Sequence, residues 1–202
     1  KAGVESDLTA LSRDSLSFAA ARKLYLDGDR EAAARALDSY IENYPKGSYR
    51  TDALYYLSDC YLVADDRERA IGTLTELADQ GMTQYTVPVL EKLAEITFGE
   101  QRWDESAKAY RRLYDAAPSR TGREDAMTGY VRATVAGGDA SKIAAMAADV
   151  AACKDAGTVA LRESKYALAT QLREAGDAAA AGKLYRELAA EVRTKEGSEA
   201  AY

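Results

Sequence analysis

The chain has 202 residues, a formal charge of −6 and no histidine, with 47% hydrophobic and 30% charged residues. That length suits one ordinary domain or a short array of repeats. An acidic chain with no basic run lacks the positive surface that nucleic acid requires, and no stretch approaches the roughly 18 consecutive apolar residues of a membrane span. The missing histidine removes the commonest general base and metal ligand together. Alanine and charged residues dominate the remainder, a composition that favours helix.

Along the chain, residues 1–14 come first, and Leu8 with Leu11 reads as the end of a preceding helix or repeat. Ala21, Leu24 and Tyr25 then predict a helix over 15–27, closed by Gly28-Asp29. Ala33, Leu37, Tyr40 and Ile41 predict a second over 30–44, ended by Pro45. The same pairing recurs at 51–64 and 67–80 around Asp65-Asp66, then at 87–98 and 103–117. The latter pair surrounds Gly99-Glu-Gln-Arg-Trp-Asp104, with Trp103, Ala107, Tyr110, Leu113 and Tyr114 before Pro118. Helices at 123–136 and 140–154 flank Gly138-Asp139, and helices at 159–175 and 178–193 flank Gly176-Asp177.

The four clear pairs begin 37, 73 and 38 residues apart, and the double-length gap holds the degenerate copy at Gly99. Five two-helix units follow, with a period of about 37, at 15–47, 51–82, 87–118, 123–155 and 159–193. Residues 194–202 resemble the start of a further repeat, because Gly197-Ser-Glu-Ala-Ala-Tyr202 echoes the opening Gly47-Ser-Tyr-Arg-Thr-Asp-Ala53. Both ends therefore read as cut from a longer array.

Glycine takes the left-handed conformation that stops a helix, and the aspartate after it accepts orphan N–H bonds of the next one. Further caps are expected at Thr121, with Glu124 three residues on, and at Thr86 ahead of Pro88.

No catalytic constellation is found. Cys60 and Cys153 are too few for a disulfide framework and read as small core residues. Gly137-Gly138-Asp139 is a turn rather than a phosphate loop, and Asp65-Asp66-Arg67-Glu68 lacks the spacing of a calcium loop. The reading is a non-enzyme with no metal and no cofactor. Fourteen tyrosines against two phenylalanines suit rings that pack while their hydroxyls meet a wet surface. Tyr40, Tyr61, Tyr110 and Tyr185 fall at packing positions.

These residues resemble the tetratricopeptide repeat family, whose pattern sets a small residue and an aromatic in the first helix, then Gly-Asp, alanine, an aromatic and a closing proline. The first unit matches at Ala21, Gly28, Asp29, Ala33 and Pro45, the third at Ala94, Trp103, Tyr110 and Pro118, and the fifth at Ala169, Gly176, Asp177, Ala181 and Tyr185. The fourth matches least, with Ile143 at the place of the small alanine. The opening after Pro45 is similar to bacterial cell-envelope repeat proteins of the TolA-binding coordinator and BamD types, and Phe18 to Ala78 is similar to large repeat proteins of the Bacteroidetes type.

The resemblance implies an all-α, right-handed superhelical solenoid of antiparallel helix pairs whose first helices line a concave groove. Carried onto this chain, the groove positions are Phe18, Arg22, Tyr25, Asp52, Tyr55, Asp59, Leu62, Glu91, Glu95, Phe98, Arg132, Tyr166 and Arg173. The function expected is a scaffold that binds a peptide or partner helix there. A structural spacer or self-associating module, and a regulatory arm of an enzyme lying outside this segment, are the alternatives. Partners are expected to be protein, with a homo-oligomer among them and without nucleic acid or membrane insertion. The expected setting is the periplasm or cell envelope, with the cytoplasm left open.

Overall fold

A computed structural model describes residues 2–199, with the side chains of Thr9 and of residues 13–192. Among the described residues there are ten helices and no strand. They are α1 (Ala2–Leu26), α2 (Arg30–Asn43), α3 (Arg50–Val63), α4 (Arg67–Asp79), α5 (Thr86–Gly99), α6 (Trp103–Ala116), α7 (Arg120–Gly137), α8 (Ala140–Ala152), α9 (Thr158–Glu174) and α10 (Ala178–Glu199). The fold is an all-α repeat. The chain divides into two compact units, residues 1–96 and 97–202, at a boundary that falls within α5.

The tight turns follow from the dipeptides. Gly28, Asp65, Gly138 and Gly176 all have positive φ, and the aspartate after each caps the next helix: Asp29 accepts from Ala32 N, Asp66 from Arg69 N, Asp139 from Ser141 N and Lys142 N, and Asp177 from Ala180 N. At the degenerate copy the left-handed residue is Gln101 rather than Gly99, and Arg102 precedes α6 without a side-chain cap.

Two expected caps differ. Ser119, not Thr121, caps α7 by accepting from Gly122 N, so the helix starts two residues earlier than the Thr121–Glu124 spacing implies. The Thr86 hydroxyl turns back to accept from Thr83 N and to donate to Gly81 O, tying the loop ahead of α5.

Residues 2–14 are not a separate helix but run unbroken into α1. No proline and no glycine lies between Val4 and Asp27 to interrupt them. At the other end α10 continues past 193 to Glu199, and the expected further repeat otherwise lies outside the described residues.

In unit 1, α1 packs on α2 and α3, α2 on α3, and α3 on α4. Alanines at 21, 33, 53 and 70 are buried where these helices cross, which lets the backbones approach. Leu37, Leu54, Leu57, Ile71 and Leu74 fill the space between, each such side chain contributing roughly 1.5–3 kcal/mol by leaving water. Tyr40 and Tyr61 are buried and Cys60 lies in the same core.

In unit 2, α6 packs on α7, α7 on α8 and α9, α8 on α9, and α9 on α10. Ile143 is not an exposed mismatch. It is buried with Met127, Val131, Met146 and Val150, a core in which branched and flexible side chains replace the small residue of the other units. Tyr110 and Tyr185 are half-buried. Cys153 is half-buried too, because it sits past the end of α8 as its C-cap rather than on a packed helix face.

Candidate protein-binding groove

The thirteen candidate residues fall in both units and behave differently in each. In unit 1 four of the nine, Tyr25, Asp52, Tyr55 and Asp59, are engaged with neighbouring elements. Tyr25 donates to Asp59 Oδ2 at 2.7 Å, and the Arg30 guanidinium lies 3.9 Å from the centre of the Tyr25 ring. Lys92 approaches Asp59 Oδ1 at 3.4 Å and sits 5.0 Å over the ring of Tyr55. Tyr55 stacks on Tyr85, centroids 4.2 Å apart, and the Tyr85 hydroxyl donates to Asp52. Tyr25, Asp52, Tyr55 and Asp59 therefore join α1 and α3 to α2, to α5 and to the residue ahead of α5. Sequence reasoning missed Arg30, Tyr85 and Lys92, which lie off the family's groove positions.

Phe18 needs correction. It is 7% exposed, stacked on Tyr49 at 4.8 Å and tilted against Tyr40 at 5.6 Å, so it is a core residue. Its large apolar ring gains more from enclosure by three aromatic neighbours than from a wet surface. Leu62 is half-buried, while Arg22, Glu91 and Glu95 are exposed and make no ion pair among the described residues.

Four tyrosine hydroxyls of unit 1 donate to aspartates on other helices: Tyr25 to Asp59, Tyr40 to Asp14, Tyr61 to Asp38 and Tyr85 to Asp52. Burial, and then the bond to the carboxylate, pushes Tyr25 and Tyr61 each up to about 12 and raises Tyr40 and Tyr85 as well. A phenol raised above its unfolded value of 10.0 contributes stability that is complete below that pH and lost as pH rises through the folded value. Unit 1 is therefore expected to lose stability between about pH 10 and pH 12. A tyrosinate absorbance titration should show several phenols ionising only with loss of helical signal. Ordinary titration of all fourteen tyrosines in a folded chain would contradict these four tyrosine–aspartate bonds.

Unit 2 is cross-linked by basic side chains instead. Arg111 reaches Asp149 at 2.6 Å, Arg123 reaches Asp155 at 3.0 Å and Lys142 reaches Asp104 at 2.6 Å. In the same unit α7, α9 and α10 border a groove of about 660 Å³. Val131 and Val135 of α7, Tyr166 and Thr170 of α9, and Leu188 and Val192 of α10 line it, with Ile143 of α8. Tyr166 is 60% exposed, leaning edge-on against Tyr185 at 5.9 Å, and Val135 and Val192 are exposed as well. Arg132 also lines the groove, and its Nε and Nη2 donate to the two oxygens of Glu163 at 3.0 and 2.7 Å.

Of the candidates in this unit, Arg132 and Tyr166 thus come together. Phe98 packs edge-on against Trp103 at 5.0 Å, away from the groove lining, and Arg173 is exposed beyond it. The valines of α7 and the apolar pair of α10 were missed. Leu188 and Val192 sit one turn apart on a second helix, and that spacing, beyond the residues needed for the pair's own core, was the available signal.

A tetratricopeptide repeat model matches residues 14–47 and 52–80. Those two segments are tetratricopeptide repeats. Similar solved structures include MamA, at 16% identity over 94% of each chain with a TM-score of 0.51. Others are a MamA double mutant from strain RS-1, at 11% identity over 90% of this chain and 96% of that one with a TM-score of 0.50, and a tetratricopeptide repeat protein from Parabacteroides merdae, at 11% identity over 89% and 67% with a TM-score of 0.50. At these identities the likeness is one of fold. No curated protein matches the chain by sequence. Tetratricopeptide repeat proteins generally mediate protein–protein interactions, and the family is typically non-enzymatic. Among the described residues no group of acidic or cysteine side chains is arranged to hold a metal, and no helix is long and apolar enough to cross a membrane.

Proposed function

We propose that this repeat protein is a scaffold that binds an amphipathic helix of a partner protein in the groove of unit 2. The observation that carries this is the spacing of the lining. Val131 and Val135, Tyr166 and Thr170, and Leu188 and Val192 are each four residues apart on their helices, so three walls present side chains at intervals of about 6 Å along their axes. A fourth helix with apolar residues at i, i+3 or i+4 and i+7 has the matching repeat. The volume falls in the range of sites that enclose several side chains, and burial of exposed Tyr166, Val135 and Val192 supplies the driving force.

Val135→Asp and Tyr166→Asp place a charge in that apolar slot at exposed positions, so they should spare folding while weakening binding at least about tenfold. Helical peptides selected on the wild-type chain from a randomised library provide the probe, with affinity read by fluorescence anisotropy. Peptides that bind both variants as tightly as wild type would place the site elsewhere.

Unit 1 supports a second role beside this one. Tyr25, Asp52, Tyr55 and Asp59 are already satisfied by neighbouring elements of the chain, which suits a rigid spacer rather than a ligand site. The resemblance of the repeat openings to envelope proteins makes the bacterial envelope the setting we propose, in a protein longer than this segment. Fractionation of cells carrying the tagged full-length gene product tests that setting.

A further inference from the structure

The negative charge of the chain is not spread evenly. Residues 1–96 carry 11 lysines and arginines against 17 aspartates and glutamates, whereas residues 97–202 carry 16 of each, so the whole net charge of −6 belongs to unit 1. In that unit α2, α3 and α4 border a groove of about 450 Å³. Leu54, Leu57 and Tyr61 line it from the face of α3 opposite to Asp52, Tyr55 and Asp59, and Ile41 of α2 completes an apolar floor. Four charged residues also line it. Arg69 is matched by Asp66 at 2.5 Å and Glu76 by Arg50 at 2.5 Å, and Glu68 is engaged as well. Asp38 differs: it is half-buried, its two oxygens accept only from the Tyr61 hydroxyl, at 2.9 and 2.8 Å, and no cation pairs with it among the described residues. A phenol leaves the carboxylate charge in place and lone pairs free to accept more. The wall opposite carries Gly72, in the middle of α4, where a Cβ would meet no atom within 4 Å. Packing within the chain therefore does not call for a glycine there, although glycine weakens a helix interior. It does leave bare backbone open to close approach.

We propose that this groove of unit 1 binds a basic segment of a partner protein, with the stem of a lysine or arginine laid over Ile41, Leu54 and Leu57 and its charged head on Asp38. A long aliphatic stem ending in a cation matches an apolar floor with one unmatched carboxylate at its wall, and the head makes a charge-assisted hydrogen bond there. The partner backbone passes α4 at Gly72. The surplus negative charge of the unit steers a basic segment toward it and repels the same unit of a second copy. The site is separate from the groove of unit 2 and does not depend on it.

The test is a selection of short random peptides on the Tyr166→Asp chain, in which the groove of unit 2 is blocked. Affinities of the selected peptides are then read by fluorescence anisotropy on wild type, Asp38→Asn and Gly72→Gln. Asparagine loses the charge but still accepts from the Tyr61 hydroxyl, and glutamine at 72 enters the groove from a position where its Cβ meets nothing, so both variants should keep the helical content of wild type. Lysine and arginine should be enriched over aspartate and glutamate, and each variant should weaken binding about tenfold or more. Wild-type affinity should also fall as salt rises. Selected peptides without a basic preference, basic peptides that bind both variants as tightly as wild type, or affinity indifferent to salt would overturn the proposal. Binding lost in Gly72→Gln but kept in Asp38→Asn overturns it too, because the groove would then not select for charge. None of these results bears on the groove of unit 2, which Tyr166→Asp and Val135→Asp read separately.

Discussion

Tyr40→Phe is expected to destabilise unit 1 by about 2–4 kcal/mol, a large effect for one oxygen atom. Asp14 of α1 is only 5% exposed. Its carboxylate accepts from the Tyr40 hydroxyl and from Ser48 N at 2.9 Å, and the Tyr40 oxygen in turn accepts from Tyr49 N at 3.1 Å. One hydroxyl thus serves a buried charge and a backbone donor in the loop between α2 and α3. Removing it costs a hydrogen bond to a charged group, about 1.5–3 kcal/mol, and leaves an N–H short of its acceptor. The loop is built around this cluster. A Cβ on Gly47 would stand 2.5 Å from the Tyr40 oxygen and 3.0 Å from Asp14 Oδ1, so glycine is the residue that fits. Denaturant unfolding of the variant measures the loss; a change below about 0.5 kcal/mol would mean that water replaces the hydroxyl without penalty.

Gly129→Leu is expected to cost unit 2 about 2–3 kcal/mol by overpacking. Gly129 lies in α7 against α6, and a Cβ there would meet the Tyr110 ring at 2.5 Å. Leucine returns about 0.8–1 kcal/mol of helix propensity, which is less than the strain of displacing a half-buried ring. The cause is separable by a double variant. With Tyr110→Ala the space is restored, and the two substitutions together should be less destabilising than the sum of each alone. Simple additivity, read from the same denaturant curves, would mean that the ring is not what the new side chain meets.

The helix pairs were legible because their signals are local. Apolar spacing and the Gly-Asp dipeptides act within a few residues, and Asp29, Asp66, Asp139 and Asp177 cap as their positions imply. Gln101 was harder to see. Its positive φ is imposed by the two helices it joins and not by its own side chain. The continuation of α1 back to Ala2 was likewise read as a break, because apolar periodicity weakened there although no helix breaker stood in the way.

The candidate site was legible as a set of helix faces but not as a chemistry. Tyr25, Asp52, Tyr55 and Asp59 have the composition of a binding surface, yet partners from 30 to 34 residues away along the chain satisfy them. Phe18 sits at a groove position by register and in the core by contact. Pairings of that kind depend on how one repeat packs on the next, which no local window contains. The groove of unit 2 escaped notice for the converse reason: valine, leucine and alanine on helices look like core until a neighbouring helix is found not to cover them.

The central claim is that partner binding is located in the groove bordered by α7, α9 and α10. Amide chemical-shift mapping by NMR, with a selected helical peptide titrated into the labelled chain, tests it most directly. The expected result is a set of shifts centred on Val131, Val135, Tyr166 and Leu188, with the Tyr25, Asp52, Tyr55 and Asp59 ladder unperturbed. Shifts centred instead on that ladder, with the groove residues silent, would contradict it.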